Sequence, residues 1–374
     1  MKKLTRTLLI ATAGLLWALS ATAQAPANNP GVTLQGFYYD SYNASNAKAA
    51  NGESYGTTKW TDLTSQAQEI AETFDMIWLP PSARSEGGTG YHPKQWSNQN
   101  GDWGTKAELT SLIKKFKEIN PNMKVIADIV INHKSGNNWI DFDNENFGTY
   151  GSFTLYESGH KSQYVCRDDE VSKQAGWTAT GNKDAGYDVQ CEASGGYCAA
   201  RDLDHSNSYL RDAIKAYLKW MKGEIGYDGW RYDLVKGYLG KYNKEYNAAA
   251  GAYFSVGEYW DGSYDALTHW INETGKTSNA FDFCLKYNGF NNGLASKNYS
   301  ALAGYGGGSG LIGDNTYKQY AVTFVDNHDT FRDDNNKFWG DWTLANAYII
   351  AMPGTPCVFY PHWVKCKNDI KKMA

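Results

Sequence analysis

The chain has 374 residues, 42% hydrophobic and 20% charged, which excludes a disordered chain and a polytopic membrane protein. With 36 basic against 40 acidic residues the net charge is −4, so nucleic acid and anionic membranes are poor partners; phosphate binding needs a surplus of Lys and Arg. Aromatic residues reach 15%, including 14 Trp and 27 Tyr. Such rings can be core, but they also suit a surface on which the C–H face of a sugar packs.

Lys2, Lys3 and Arg6 precede an apolar run, 8–19, too short to span a bilayer, and Ala21-Thr22-Ala23 is an A-x-A cleavage site. Residues 1–23 therefore read as a signal peptide, with the periplasm or the exterior as destination. Six cysteines remain: Cys166, Cys191, Cys198, Cys284, Cys357 and Cys366. Their connectivity is open. Cys191 and Cys198 are close enough to bridge a loop, Cys166 could compete for either, and Cys357 reads as a buried thiol in an apolar run.

In chain order, short β-rich apolar runs fall at 32–39, 76–81, 125–132, 229–235, 253–260, 280–285, 320–326 and 356–360. Amphipathic segments such as 63–73, 106–119 and 209–225 lie between them. Strand alternating with helix implies a parallel sheet, and eight such strands imply an α/β fold of the (β/α)8 TIM-barrel type. From 134 to 201 the chain is rich in Gly, Asn, Asp and aromatics and lacks helical periodicity. That is too long for a loop, so it reads as a small domain inserted after the third strand. The barrel would then comprise residues 24–133 and 202–374. A glycine-rich loop at 304–313 precedes the seventh strand; its G-x-G-x-x-G lettering has no βαβ unit around it.

Polar residues cluster where the strands end: Asp128 and His133 on the third, Arg231 and Asp233 on the fourth, Glu258 on the fifth, His328 and Asp329 on the seventh. C-terminal strand ends build the active site of such a barrel. Arg231 and Asp233 are two apart, so both point to one side of a strand. An Arg beside an Asp keeps that carboxylate ionised, as a nucleophile requires. Glu258, followed by Tyr259 and Trp260, has the surroundings to raise its pKa, as a general acid requires. Two carboxyls in unlike environments are the equipment of glycoside hydrolysis.

These segments resemble the α-amylase family of glycoside hydrolases. Five motifs match in order: Asp128-Ile-Val-Ile-Asn-His133, Asp202-Leu-Asp-His-Ser-Asn207, Gly229-Trp-Arg-Tyr-Asp-Leu-Val-Lys-Gly237, Val256-Gly-Glu258 and Phe324-Val-Asp-Asn-His-Asp329. Gln35-Gly-Phe37, Trp78-Leu-Pro-Pro81 and Gly90-Tyr-His-Pro93 add agreement nearest to plant-type and similar bacterial members. The resemblance implies endo-acting, retaining hydrolysis of α-1,4-glucosidic bonds in starch, glycogen and maltooligosaccharides by a secreted monomer. Asp233 would be the nucleophile and Glu258 the acid/base, ~5–5.5 Å apart. Asp329 would hold sugar hydroxyls. Asp128, His133, His328, Arg231, Tyr91 and Lys236 would serve the substrate site: the histidines bonding one sugar ring, Arg231 orienting Asp233, Tyr91 stacking under that ring, and Lys236 contacting the leaving-group side. The family also carries a structural Ca2+, which asks for six to eight oxygens. Asn132, Asp184, the Tyr187 carbonyl, Asp202 and the Gly237 carbonyl are its counterparts.

Sibling chemistries share these carboxylates: α-1,6 hydrolysis or glucan transfer on the same barrel. A starch-binding protein with a dead barrel is disfavoured by the intact set of three acids. Family members usually complete the eighth helix and add a C-terminal antiparallel β domain. Here only 362–374 follow the last strand, so the chain reads as cut short, with a stub of a helix and an exposed barrel seam.

Overall fold

A computed structural model of the chain describes residues 31–45, 53–183, 200–303 and 310–374. The residues read as a signal peptide, together with Asp184, Tyr187, Cys191 and Cys198, lie outside the described residues.

Eight parallel strands close into a barrel: β1 (Thr33–Gln35), β2 (Met76–Leu79), β3 (Lys124–Ile129), β4 (Gly229–Tyr232), β5 (Ser255–Gly257), β6 (Asn279–Phe281), β7 (Ala321–Phe324) and β8 (Thr355–Phe359). All eight apolar runs of the sequence carry one of them. Each strand but Lys124–Ile129, which begins half-buried, is buried along its length. That explains near-continuous apolar runs in place of alternation, since helices cover the outside and side chains fill the inside. The ring closes where β1 pairs with both β2 and β8. Aromatic rings fill the upper barrel: Trp78 lies 5.3 Å from Phe37 and 5.4 Å from Phe281, and Phe281 lies 5.5 Å from Phe324. They form a solid floor beneath the strand ends.

The outer helices are α1 (Trp60–Thr73), α2 (Lys106–Ile119), α3 (Ser208–Trp220), α4 (Gly240–Ala250), α5 (Tyr264–Glu273), α6 (Trp342–Ala351) and α7 (Tyr360–Met373). Start signals in the sequence become caps. Thr105 and Glu108 form a reciprocal capping box on α2, and Asn207 accepts from the first turn of α3. The expected helix over 209–225 ends as an α-helix at Trp220 and continues through a π-helical turn, Met221–Ile225.

The last helix corrects the expectation of a stub and an open seam. It runs 14 residues with a kink at Cys366. Tyr360, Trp363 and Ile370 form its buried face. Trp363 packs edge-on against Phe74 with centroids 5.0 Å apart, and Tyr360 donates to Gln66 on α1. Lys367 and Lys371 both reach Glu69 at 2.6 Å. The helix thus closes the ring between α6 and α1. Its apolar spacing is real but short.

The excursion after β3 is built differently. His133–Lys134 pairs antiparallel with Arg201–Asp202 at its base. Between them, among the described residues, lie two further short pairs, Glu145–Asn146 with Ser152–Phe153 and Lys161–Ser162 with Thr178–Ala179. Buried charges pin it in place of periodic packing. Lys134 meets Glu145 at 2.7 Å with both side chains fully buried, and Glu145 also accepts from the backbone of Trp96 and Ser97. Arg201 holds Asp169 and Glu170.

Candidate active site

Strand register assembles the centre. Arg231 on β4 stands directly opposite Asp128 on β3. Both point into the barrel and are buried. One Arg231 nitrogen, Nη1, donates to Asp128 Oδ1 and to Asp233 Oδ1, each at 2.7 Å. Nη2 lies 2.7 Å from Glu258 Oε1, an ion pair. A single guanidinium therefore grips carboxyls from β3, from the turn after β4 and from the turn after β5. Its flat face lies 5.0 Å from the Trp78 ring and 5.8 Å from that of Tyr91. The other oxygen of Asp128 accepts from Trp78 Nε1 at 3.1 Å and from the Tyr91 hydroxyl at 2.9 Å.

Between Asp233 and the following turn, Leu234 adopts a left-handed conformation with φ of +45°. A branched apolar residue rarely does so, and such strain clusters at functional sites. The consequence here is local: the Leu234 amide turns to donate to Glu258 Oε2 at 3.3 Å.

The acids differ in their titration. Burial pushes the Glu258 carboxyl well above the usual carboxylate range; Arg231 opposes, while Asp233 and Asp329 add to the rise. Burial raises Asp128 to about 6 against the pull of Arg231. For Asp329 burial also pushes upward, but His328, Arg332 and Arg231 outweigh it and hold the carboxyl below its ordinary value. The site thus pairs an acid whose burial favours the protonated form with one whose cationic partners favour the ionised form.

Asp329 Oδ2 faces His328 Nε2 at 3.2 Å. The Gln35 amide lies 3.0 Å from His328 Nδ1. An amide N–H must donate there, so the imidazole proton sits on Nε2, toward Asp329. His328 also stacks on Tyr91, 5.1 Å apart at 4°. His133 Nε2 donates to the Tyr91 carbonyl at 2.8 Å, so this residue shapes the Tyr91 loop as well as lining the cleft. The cleft above these groups has a volume of about 860 Å³. Tyr91, His133, Asp233, Glu258 and Asp329 line it; Asp128, Arg231 and His328 lie beneath. Lys236 is turned aside, with Nζ 3.3 Å from both the Trp260 carbonyl and Asp261. Cleft residues that the sequence did not single out for a role include Tyr39, His92, Trp260, Arg332, Asp333 and Asn336. Tyr39 and Arg332 flank recognisable motifs, which was the available signal.

A family profile described as "Alpha amylase, catalytic domain" matches residues 38–372. The chain belongs to the alpha-amylase family. "Probable alpha-amylase 2" of Arabidopsis thaliana is 30% identical over 346 residues, covering 86% of this chain and 76% of that protein. "Alpha-amylase 3, chloroplastic" of the same plant is 34% identical over 338 residues, covering 83% of this chain. The chain spans about a third of that relative, since the match covers 35% of it. Among solved structures, the alpha-amylase from Geobacillus thermoleovorans, complexed with acarbose, superposes with a TM-score of 0.59 at 19% identity, over 89% of this chain and 70% of that one. The amylase barrel is the shared fold.

Within this amylase domain, of the residues matched to the family's calcium set, Asn132 and Asp202 fall at the base of the excursion and Gly237 in the turn after β4. Asn132 Nδ2 lies 3.3 Å from His133 Nδ1, while Asn132 Oδ1 is buried and meets no hydrogen-bond donor among the described residues. Gly237 stands against that oxygen, and a Cβ there would overlap it. Leu203, next to Asp202, bonds the Asn132 carbonyl at 3.0 Å. No cluster of three or more His, Cys, Asp or Glu placed to hold a metal occurs among the described residues. The Asn132 Oδ1 left without a donor is a hard amide oxygen of the kind that Ca2+ takes. No helix among the described residues is long and apolar enough to cross a membrane.

Proposed function

We propose that this amylase domain hydrolyses internal α-1,4-glucosidic bonds of starch-like glucans with retention of the anomer. The observation that carries the reading is the single Arg231 guanidinium gripping Asp233 and Glu258, with burial pushing the Glu258 carboxyl well above the usual carboxylate range. Asp233, held by a fixed cation, attacks the anomeric carbon and forms the glycosyl-enzyme. Glu258, still protonated, gives its proton to the departing glycosidic oxygen. It then takes a proton from the water that attacks the intermediate, which returns both groups to their starting states. Two carboxyls on one guanidinium stand close, which suits a covalent intermediate better than an intervening water. Asp329, ionised beside His328, accepts hydroxyls of the same sugar and favours the oxocarbenium-like transition state. The Tyr91 and Trp260 rings offer apolar faces to the sugar. Lys236 is left with a role at the wall formed by Trp260 and Asp261.

A calcium ion fits the orphaned Asn132 oxygen together with Asp202 and the Gly237 carbonyl; Asp184 and the Tyr187 carbonyl complete the set by family likeness. When bound it supplies a cross-link between the excursion and the turn after β4. Asn132 and Gly237 thereby hold that turn, and with it Asp233, in register. The signal peptide reading of residues 1–23 places the protein outside the cytoplasm. Incubation of purified protein with soluble starch tests the whole reading: new reducing ends should appear, and Asp233→Asn should abolish them. Unchanged starch would refute it.

A further inference from the structure

Both carboxylate oxygens of Asp329 are engaged by protein. Oδ2 faces His328, while Oδ1 takes the Arg332 guanidinium, with Nε at 3.0 Å and Nη2 at 2.8 Å. Arg332 ends the one-turn 3-10 helix Thr330–Arg332, and its side chain is 51% exposed on the cleft wall. An ion pair this exposed ordinarily contributes little, because water screens it and side-chain entropy opposes it. This one has a second anchor. Arg332 Cζ lies 3.7 Å from the centre of the Tyr39 ring, a cation–π contact. Tyr39, in the loop after β1, is nearly parallel to His328 at 6.4 Å and 7°, and His328 to Tyr91. A chain of flat groups therefore links the loops after β7, β1 and β2 and ends on the Asp329 carboxylate.

We propose that Arg332 is a positioning residue for Asp329: clamped on Tyr39, it fixes the rotation of the carboxylate so that incoming sugar hydroxyls meet it in one orientation. The inference rests on the glucanase reading above and adds to it a residue that no motif marks. Arginine suits the task for two reasons. Its forked nitrogens grip one oxygen from two directions, and its planar face stacks on tyrosine; lysine can do neither. The charge of Arg332 is the lesser part of its effect. The groups facing Asp329 are His328 and Arg332 from its own loop, Arg231 from β4, Glu258 after β5 and Tyr91 after β2. Burial raises the Asp329 carboxyl, and His328 pulls it down more strongly than Arg332 does, so the stronger opposing pull remains when Arg332 is lost. Loss of Arg332 should appear in kcat and leave the acid limb of the pH profile in place.

The test compares wild type, Arg332→Met, Arg332→Lys, Asp329→Asn and the Asp329→Asn/Arg332→Met pair on a maltooligosaccharide. Arg332→Met should lower kcat about 10- to 100-fold with KM changed less than about threefold, the mark of an interaction made in the transition state. Arg332→Lys should stay near that level. In the Asp329→Asn background Arg332→Met should cost nothing further, because nothing is left to position. Unchanged or faster turnover in Arg332→Met would overturn the proposal, as would losses that multiply in the pair. A wild-type protein that leaves starch intact would overturn the glucanase reading and this inference together. An active wild type with an indifferent Arg332→Met overturns this inference alone.

Discussion

Glu258→Gln separates catalysis from folding at one atom pair. Glu258 receives the Leu234 amide on one oxygen and Arg231 on the other. A protonated carboxyl and an amide have nearly the same shape and the same zero charge, so glutamine imitates the acid form without a transferable proton. Below the pH at which Glu258 ionises, the substitution should cost the fold less than about 1 kcal/mol, within the worth of one hydrogen bond. Above it, the sign reverses. The folded-state pKa is raised, so the stability that Glu258 lends is complete below its unfolded pKa and is lost as pH rises through the folded value. Each unit between those two values removes about 1.36 kcal/mol at high pH. Glutamine escapes this loss, so the variant should melt with wild type at pH 5 and above it at pH 8. Activity should move the other way. General acid catalysis is worth about 10²- to 10⁴-fold, which is roughly 2.7–5.4 kcal/mol of transition-state stabilisation at 1.36 kcal/mol per tenfold. Reducing-end release across pH, with scanning calorimetry on the same samples, reads both effects. Wild type should lose activity on the alkaline side as Glu258 ionises, and the variant should lack that limb. A variant within threefold of wild type, or one that melts lower at both pH values, would refute the reasoning.

A chelator should lower the thermal midpoint of wild type, and Gly237→Ala, whose methyl overlaps Asn132 Oδ1, should lower it without a chelator and respond less when one is added; equal response in both proteins would count against the calcium assignment. Trp363→Ala should cost about 3–5 kcal/mol in urea unfolding, because a fully buried indole closes the ring against Phe74; a loss below about 1 kcal/mol would mean that the last helix is not part of the fold's core. Glu145→Ala should cost about 3–5 kcal/mol by stranding the buried Lys134 ammonium, and Lys134→Met in that background should recover part of the loss; no recovery would show that packing, not the unpaired charge, sets the cost.

Local patterns carried much of this molecule. The eight apolar runs became eight barrel strands, because parallel strands covered on both faces need no polar alternation. Arg231 and Asp233 share a side because a strand repeats every two residues, and their 2.7 Å contact follows. What the sequence could not carry depends on distant partners. The Arg231–Asp128 contact joins residues 103 apart and needs the strand register. Arg332 acquires its setting only when Tyr39 arrives from the other end of the chain. Lys236 meets the Trp260 carbonyl and Asp261, partners 24 and 25 residues away that only the fold brings to it. The excursion from Lys134 lacked periodicity because its buried apolar residues, such as Ile140, Phe147 and Leu155, come from turns and short pairs and share the interior with buried ion pairs. The last helix read as a stub because its buried face, Tyr360, Trp363 and Ile370, is sparse, and its lysine partner Glu69 lies about three hundred residues earlier in the chain.

The central claim is that Asp233 attacks and Glu258 relays one proton twice, so the sugar configuration is inverted twice. Proton NMR of the first minutes of maltooligosaccharide cleavage by the wild-type protein tests it most directly. The account predicts the α-anomer as the first-formed reducing end, with β appearing only by later mutarotation. A β-anomer formed first would contradict the covalent intermediate and the roles given to both carboxyls.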